Sequence, residues 1–149
     1  CLGCAVTPMA MTEVFSALEQ KVIDGQENPP STIRTQGWYE IQDYLLVSNH
    51  VFTSLFLCAN SNFYNSLDSE LQGILDEVIS ETSAKIWDSA KEKSQEDLDY
   101  MATEGGIEVY YPSDAFKQEM IDATASMYDD MYAKCPEVKD IVAAIREIQ

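Results

Sequence analysis

Apolar residues recur at three-to-four spacing along most of this chain, which predicts a helix-rich domain with a few short strands. The strongest element covers residues 68–104. There Leu71, Ile74, Leu75, Val78, Ile79, Thr82, Ile86, Ala90, Leu98 and Met101 keep one stripe over about ten turns. Residues 88–99 thin to charge, so one face of that stretch should be wet, and Gly105-Gly106 stops the helix. Earlier, Thr12 offers an N-cap hydroxyl, Glu13 suits the first turn, and Val14, Phe15, Leu18 and Val22 form a stripe that Asp24-Gly25 ends. A short helix over residues 38–44 would turn Trp38, Ile41 and Leu45 inward. Beyond the long helix, Ser113 caps a helix whose buried face is Phe116, Met120, Ile121, Tyr128, Met131 and Tyr132. Cys135-Pro136 then sets off a last helix with Val138, Ile141, Val142 and Ile145 inward. Residues 45–48, 51–59 and 107–111 read as strands, and residues 1–11 as a strand and turn.

A helix of more than 30 residues is long for one globular domain, where three or four turns is usual. A coiled coil would need a sustained a/d seam, which the stripe lacks. The other explanation is a helix that spans two lobes of a larger protein.

Composition removes several function classes. Among 149 residues, 26 are acidic and 9 basic, a formal net charge of −17. No basic stripe exists to displace counterions from nucleic acid, and adsorption to anionic lipid is disfavoured. Nothing approaches 18 consecutive apolar residues, so no membrane-spanning helix is expected. Cys1 and Cys4 have C-x-x-C spacing, but Cys58, Cys135 and the single histidine, His50, stand apart without the paired spacing of a zinc site. The pair reads better as small buried residues than as a redox centre. No G-x-S-x-G, H-E-x-x-H or phosphate-binding glycine loop occurs, and no cofactor is expected. His50, between two apolar runs, reads more readily as a hydrogen-bonded core residue than as a general base.

The chemically distinctive stretch is Asp24-Gly25-Gln26-Glu27-Asn28-Pro29. It packs polar side chains at a helix exit and then locks the backbone, since a residue before proline is pushed toward extended conformations. One reading is a capped turn. The other is a rigid mount for Asn28, whose amide can donate to a carboxylate; a group already in place loses little entropy on ligand capture.

That stretch, the segment 7–20 before it (Thr7-Pro8-Met9-Ala10-Met11 onward) and the continuation from Tyr39-Glu40 to Ser48-Asn49-His50 resemble the DctP-type substrate-binding proteins of tripartite ATP-independent periplasmic (TRAP) transporters. Asn60, the Phe63-Tyr64 pair, Ser66-Leu67 opening a long helix, and Gly106-Ile107-Glu108-Val109 extend the likeness nearly end to end. The resemblance implies an α/β, two-lobed periplasmic-binding-protein-like fold, of which this chain matches the C-terminal portion, with one very long helix crossing both lobes. Residues 1–50 and 95–149 would belong to the second lobe, and residues 51–94 would cross into the first. The function implied is extracytoplasmic capture of an organic acid, dicarboxylate-like or related, by its carboxylate, and its delivery to a membrane permease. Asn28 matches the asparagine that helps hold the carboxylate. Met11 stands where many relatives place an aromatic against the ligand, and residues Phe52 to Ser54 would line the cleft mouth. With Glu27, the implied ligand set is Asn28, Met11, Glu27, Phe52 and Ser54. Residues 51–59 would form a strand short of neighbours, a pairing hazard that predicts a dimer, strand swapping or poor order. The alternatives are a helical protein-interaction module without a small-molecule ligand, and an enzyme using His50 and Glu27 as its polar pair.

Overall fold

The computed structural model describes residues 2–148, the side chain of Lys91 excepted. It divides into two compact units, Met9–Tyr110 and Cys1–Pro8 with Tyr111–Gln149.

The larger unit opens with helix α1, Met11–Glu19. Its entrance is closed by the Glu13 carboxylate, which accepts the Ala10 N–H at 3.3 Å, so Thr12 lies inside the first turn and is not the cap. The helix also ends earlier than Asp24-Gly25. Lys21 takes a left-handed conformation (φ 56°), its N–H donates to the Leu18 carbonyl, and the Val22 N–H returns to the Ala17 carbonyl at 2.8 Å. That C-terminal motif satisfies two of the carbonyls a helix end leaves open. It also puts Val22, expected on the apolar stripe, out in solvent. A short helix α2, Pro30–Thr35, follows, with proline in its first turn where a missing N–H costs nothing. The proline pair predicts a break in helix here, and α2 is not expected from it. One 3-10 turn covers Trp38–Ile41 and leads into strand β1, Tyr44–Leu46.

After β1 the chain runs through residues 47–60 without a strand. The strand expected over residues 51–59 is therefore corrected: the run is exposed, and no neighbouring strand pairs with it. An extended apolar run becomes a strand only where a partner completes its hydrogen bonds. Residues 1–11 likewise hold no strand among the described residues. Helix α3, Ser61–Ser66, starts on Asn60, whose side chain accepts the N–H groups of Asn62 and Phe63.

Helix α4, Ser69–Thr103, is the long element the stripe predicts, about 52 Å from end to end at 1.5 Å per residue. Asp68 caps it by accepting the Leu71 N–H at 2.9 Å. Strand β2, Glu108–Tyr110, then pairs parallel with β1, Leu45 opposite Val109, so the link between the strands is carried by α3 and α4. The core gathers Val14, Leu18, Ile33, Trp38, Leu45, Leu98, Met101 and Ile107, with Met101 fully buried and Trp38 1 % exposed. Only the C-terminal end of the α4 stripe joins it. Leu71, Ile74, Val78 and Ile86 are exposed, as are Val51, Phe52, Leu55, Phe56 and Leu57 before them.

The turn after α4 has no spare room. A Cβ on Gly105 would meet the Tyr39 ring at 2.5 Å and the Met101 carbonyl oxygen at 2.6 Å. Gly105→Ala is expected to cost about 1–3 kcal/mol through overpacking. A fall in the urea midpoint at unchanged slope would register it.

The smaller unit is helical: α5, Asp114–Thr124; α6, Ser126–Lys134; and α7, Val138–Glu147. Ser113 Oγ accepts the Phe116 N–H at 3.2 Å, the cap its position predicts. The single helix expected after it is broken at Ala125. Its inward face is also corrected, because Phe116 and Ile121 are exposed, and so is that of the last helix, where Ile141 and Ile145 are exposed. What does pack is the α6 tyrosine pair, Tyr128 and Tyr132, with ring centroids 6.1 Å apart. The Arg146 guanidinium lies 4.8 Å from the Tyr128 centroid.

Candidate functional site

The segment between α1 and α2 is fastened by side chains to the segment around β1. Gln26 Nε2 donates to Gln42 Oε1 at 3.2 Å, and Asn28 Nδ2 donates to Gln26 Oε1 at 2.9 Å. One residue along, Glu27 Oε1 lies 3.8 Å from His50 Nε2, and His50 Nδ1 is 2.7 Å from Ser48 Oγ. Adjacent residues of the segment thus face opposite sides of β1: Gln26 bonds to a residue before it, and Glu27 lies near one beyond it. Asn28 is half-buried, its amide is oriented through one N–H, and the second N–H of the same nitrogen has no hydrogen-bond partner among the described residues.

His50 is corrected from a core residue to an exposed one, though it is hydrogen-bonded as expected. Glu27, its neighbour, is also exposed. Cys4, expected as a small buried residue, is exposed; Cys58 is also exposed and Cys135 is half-buried. Cys1 lies outside the described residues. Cys135 Sγ–H donates to Glu137 Oε1 at 3.1 Å, and that bond raises the thiol pKa, the opposite of activation.

Of the other residues named from the sequence, Met11 sits half exposed at the start of α1. Phe52 is 76 % exposed and meets Trp87 edge-on at 6.4 Å between centroids. Ser54 lies in the exposed run 51–59. Among the described residues no hydrogen bond joins Met11, Phe52 or Ser54 to Asn28. The geometry brings together Gln26, Asn28 and Gln42, and separately Glu27, Ser48 and His50.

Sequence reading missed the strongest polar contact. Asp97, placed on a wet helix face, is 2 % exposed and accepts from Arg34 Nη1 at 2.6 Å and Lys93 Nζ at 2.9 Å. Burial alone would raise its pKa, but the bonds from Lys93 and Arg34 outweigh it and hold the carboxyl below its ordinary value. The Arg34 guanidinium also stacks 3.9 Å from the Tyr100 centroid. Arg34 is therefore a structural cation. The two partners are 63 residues apart, so no local spacing could have announced the pair.

Comparison with solved structures defines the class. The fold matches that of a TRAP periplasmic solute-binding protein from Haemophilus influenzae with bound L-gulonate, at 40 % identity and a TM-score of 0.85, over 95 % of this chain and 46 % of that one. It also matches the sugar-acid-binding protein DctPAm of Advenella mimigardefordensis in complex with galactonate, at 29 % identity and a TM-score of 0.84, over 95 % and 46 %. The C4-dicarboxylate-binding periplasmic protein DctP of Rhodobacter capsulatus is 29 % identical over 87 % of this chain and 39 % of its own length. Residues 1–135 match the family model for bacterial extracellular solute-binding proteins, family 7, and the chain belongs to that DctP family. It spans less than half the length of these relatives.

Proposed function

We propose that this chain contributes the C-terminal portion of an extracytoplasmic solute-binding protein that captures a sugar acid by its carboxylate and hands it to a TRAP membrane permease. The observation that carries this reading is the match of nearly the whole chain to a protein holding L-gulonate. Capture would proceed by closure of two lobes over the ligand, the closed state being selected on binding. The free N–H of Asn28 donates to the ligand carboxylate. Met11, Glu27, Phe52 and Ser54 complete this chain's share of the cleft wall.

In this account residues 1–50 and 95–149 belong to one lobe and residues 51–94 pass into the other. The exposed apolar side chains of residues 51–57 and of the first half of α4 support that division. They form a surface that the remainder of the family fold would cover. The parallel pair β1–β2 also speaks against a purely helical interaction module.

The test is the affinity of the complete translation product carrying this chain for L-gulonate and galactonate, before and after Asn28→Ala. A hydrogen bond to a charged group is worth about 1.5–3 kcal/mol, so the substitution should weaken binding by roughly 10- to 100-fold. Unchanged affinity on removing the Asn28 amide would contradict the assignment.

A further inference from the structure

The hydrogen bonds around Asn28 have a direction. A side-chain amide can turn about its last torsion and present either its oxygen or its NH2 to a given side. Asn28 facing a carboxylate is useful in only one of those states, because a carboxylate accepts and cannot donate. Its orientation is set by Gln26, whose oxygen accepts from Asn28 Nδ2 at 2.9 Å. The orientation of Gln26 is set in turn by Gln42, whose oxygen accepts from Gln26 Nε2 at 3.2 Å. All three side chains are half-buried, so water competes only in part for these bonds. Gln42 closes the relay from the residue pair just ahead of β1. That strand is itself fixed by pairing with β2, including Glu108 N–H to the Asp43 carbonyl at 2.8 Å. The relay therefore runs from the sheet to the candidate donor.

We infer that Gln26 and Gln42 are positioning residues that hold the Asn28 amide with its NH2 toward the ligand carboxylate. The inference rests on the sugar-acid reading above. It assigns neither glutamine a direct contact with the ligand: each acts through the residue after it in the relay. The cost of losing either is then a cost in the orientation of Asn28 and disappears when Asn28 has no amide to orient.

That conditional is what the experiment reads. In the complete translation product, Gln26→Leu and Gln42→Leu are each made alone and in combination with Asn28→Ala. Dissociation constants for L-gulonate and galactonate are measured by titration calorimetry, and far-ultraviolet circular dichroism checks the fold of every variant. Each single leucine substitution should weaken binding about three- to tenfold, the range of one hydrogen bond of ordinary strength. In the Asn28→Ala background each should change affinity by less than about twofold, the non-additivity expected of residues that act as a unit. Gln26→Glu, which can still accept from Asn28 but cannot donate to Gln42, should retain more affinity than Gln26→Leu. Equal fold losses with and without the Asn28 amide would overturn the inference and leave the sugar-acid reading standing. Failure of the unsubstituted protein to bind either acid would overturn both. Gln42→Leu leaves the 24–29 segment untouched, so it tests the relay even if Gln26→Leu unfolds that segment.

Discussion

Replacing Arg34 by methionine is expected to lower folding stability by about 3 kcal/mol. Removing one partner of a buried ion pair costs about 3–5 kcal/mol, because the remaining charge stays desolvated. The lower end applies here, since Lys93 still donates to Asp97 after the substitution. Asp97 is 2 % exposed where α4 packs against α2. Methionine retains much of the apolar stem that crosses Tyr100 but supplies no charge to the carboxylate. The pH dependence follows from the depressed pKa of Asp97 in the folded state. Its contribution is fully present above the unfolded carboxylate value of about 3.9 and is lost as pH falls through the lower folded value. Urea titrations at pH 7 and at successively lower pH, on the unsubstituted chain and on Arg34→Met, should converge as Asp97 becomes protonated. A constant difference in stability down to pH 2 would show that Arg34 works through packing and not through the pair.

Trp38→Ala should be at least as damaging, at about 3–5 kcal/mol, the usual cost of deleting a large buried aromatic side chain. Trp38 is 1 % exposed within a cluster that draws on α1, α2, β1, the end of α4 and Ile107 just before β2. In a domain of this size each kcal/mol moves the melting temperature by about 2–4 °C, so a drop of roughly 10 °C is expected in a thermal scan. A loss below about 1 kcal/mol would mean that this cluster is not the core.

The sequence carried the long helix well. An apolar stripe and a Gly105-Gly106 stop are local signals, and α4 lies within one residue of the expected span 68–104 at each end. The same holds for Trp38 and for Ser113 at the start of α5. What failed depended on partners distant in the chain. Residues 51–59 have strand composition, but a strand needs a pairing neighbour, and none is present for them among the described residues. The apolar faces of α5 and α7 repeat with helical period, yet period reports which residues share a face and not whether that face is covered. At the site, Asn28 stands out as a candidate because proline follows it and because the surrounding stretch resembles a family motif. Gln26 reaching Gln42, and Arg34 reaching Asp97, were not legible: each contact joins segments that only the folded chain brings together.

The central claim is that a sugar acid is held through its carboxylate. Titration calorimetry of the complete translation product with L-gulonate, and with neutral L-gulose as its uncharged counterpart, tests this most directly. The account predicts saturable binding of one acid per protein and no measurable heat from the neutral sugar at the same concentration. Binding of both with similar affinity, or of neither L-gulonate nor galactonate at millimolar concentration, would contradict it.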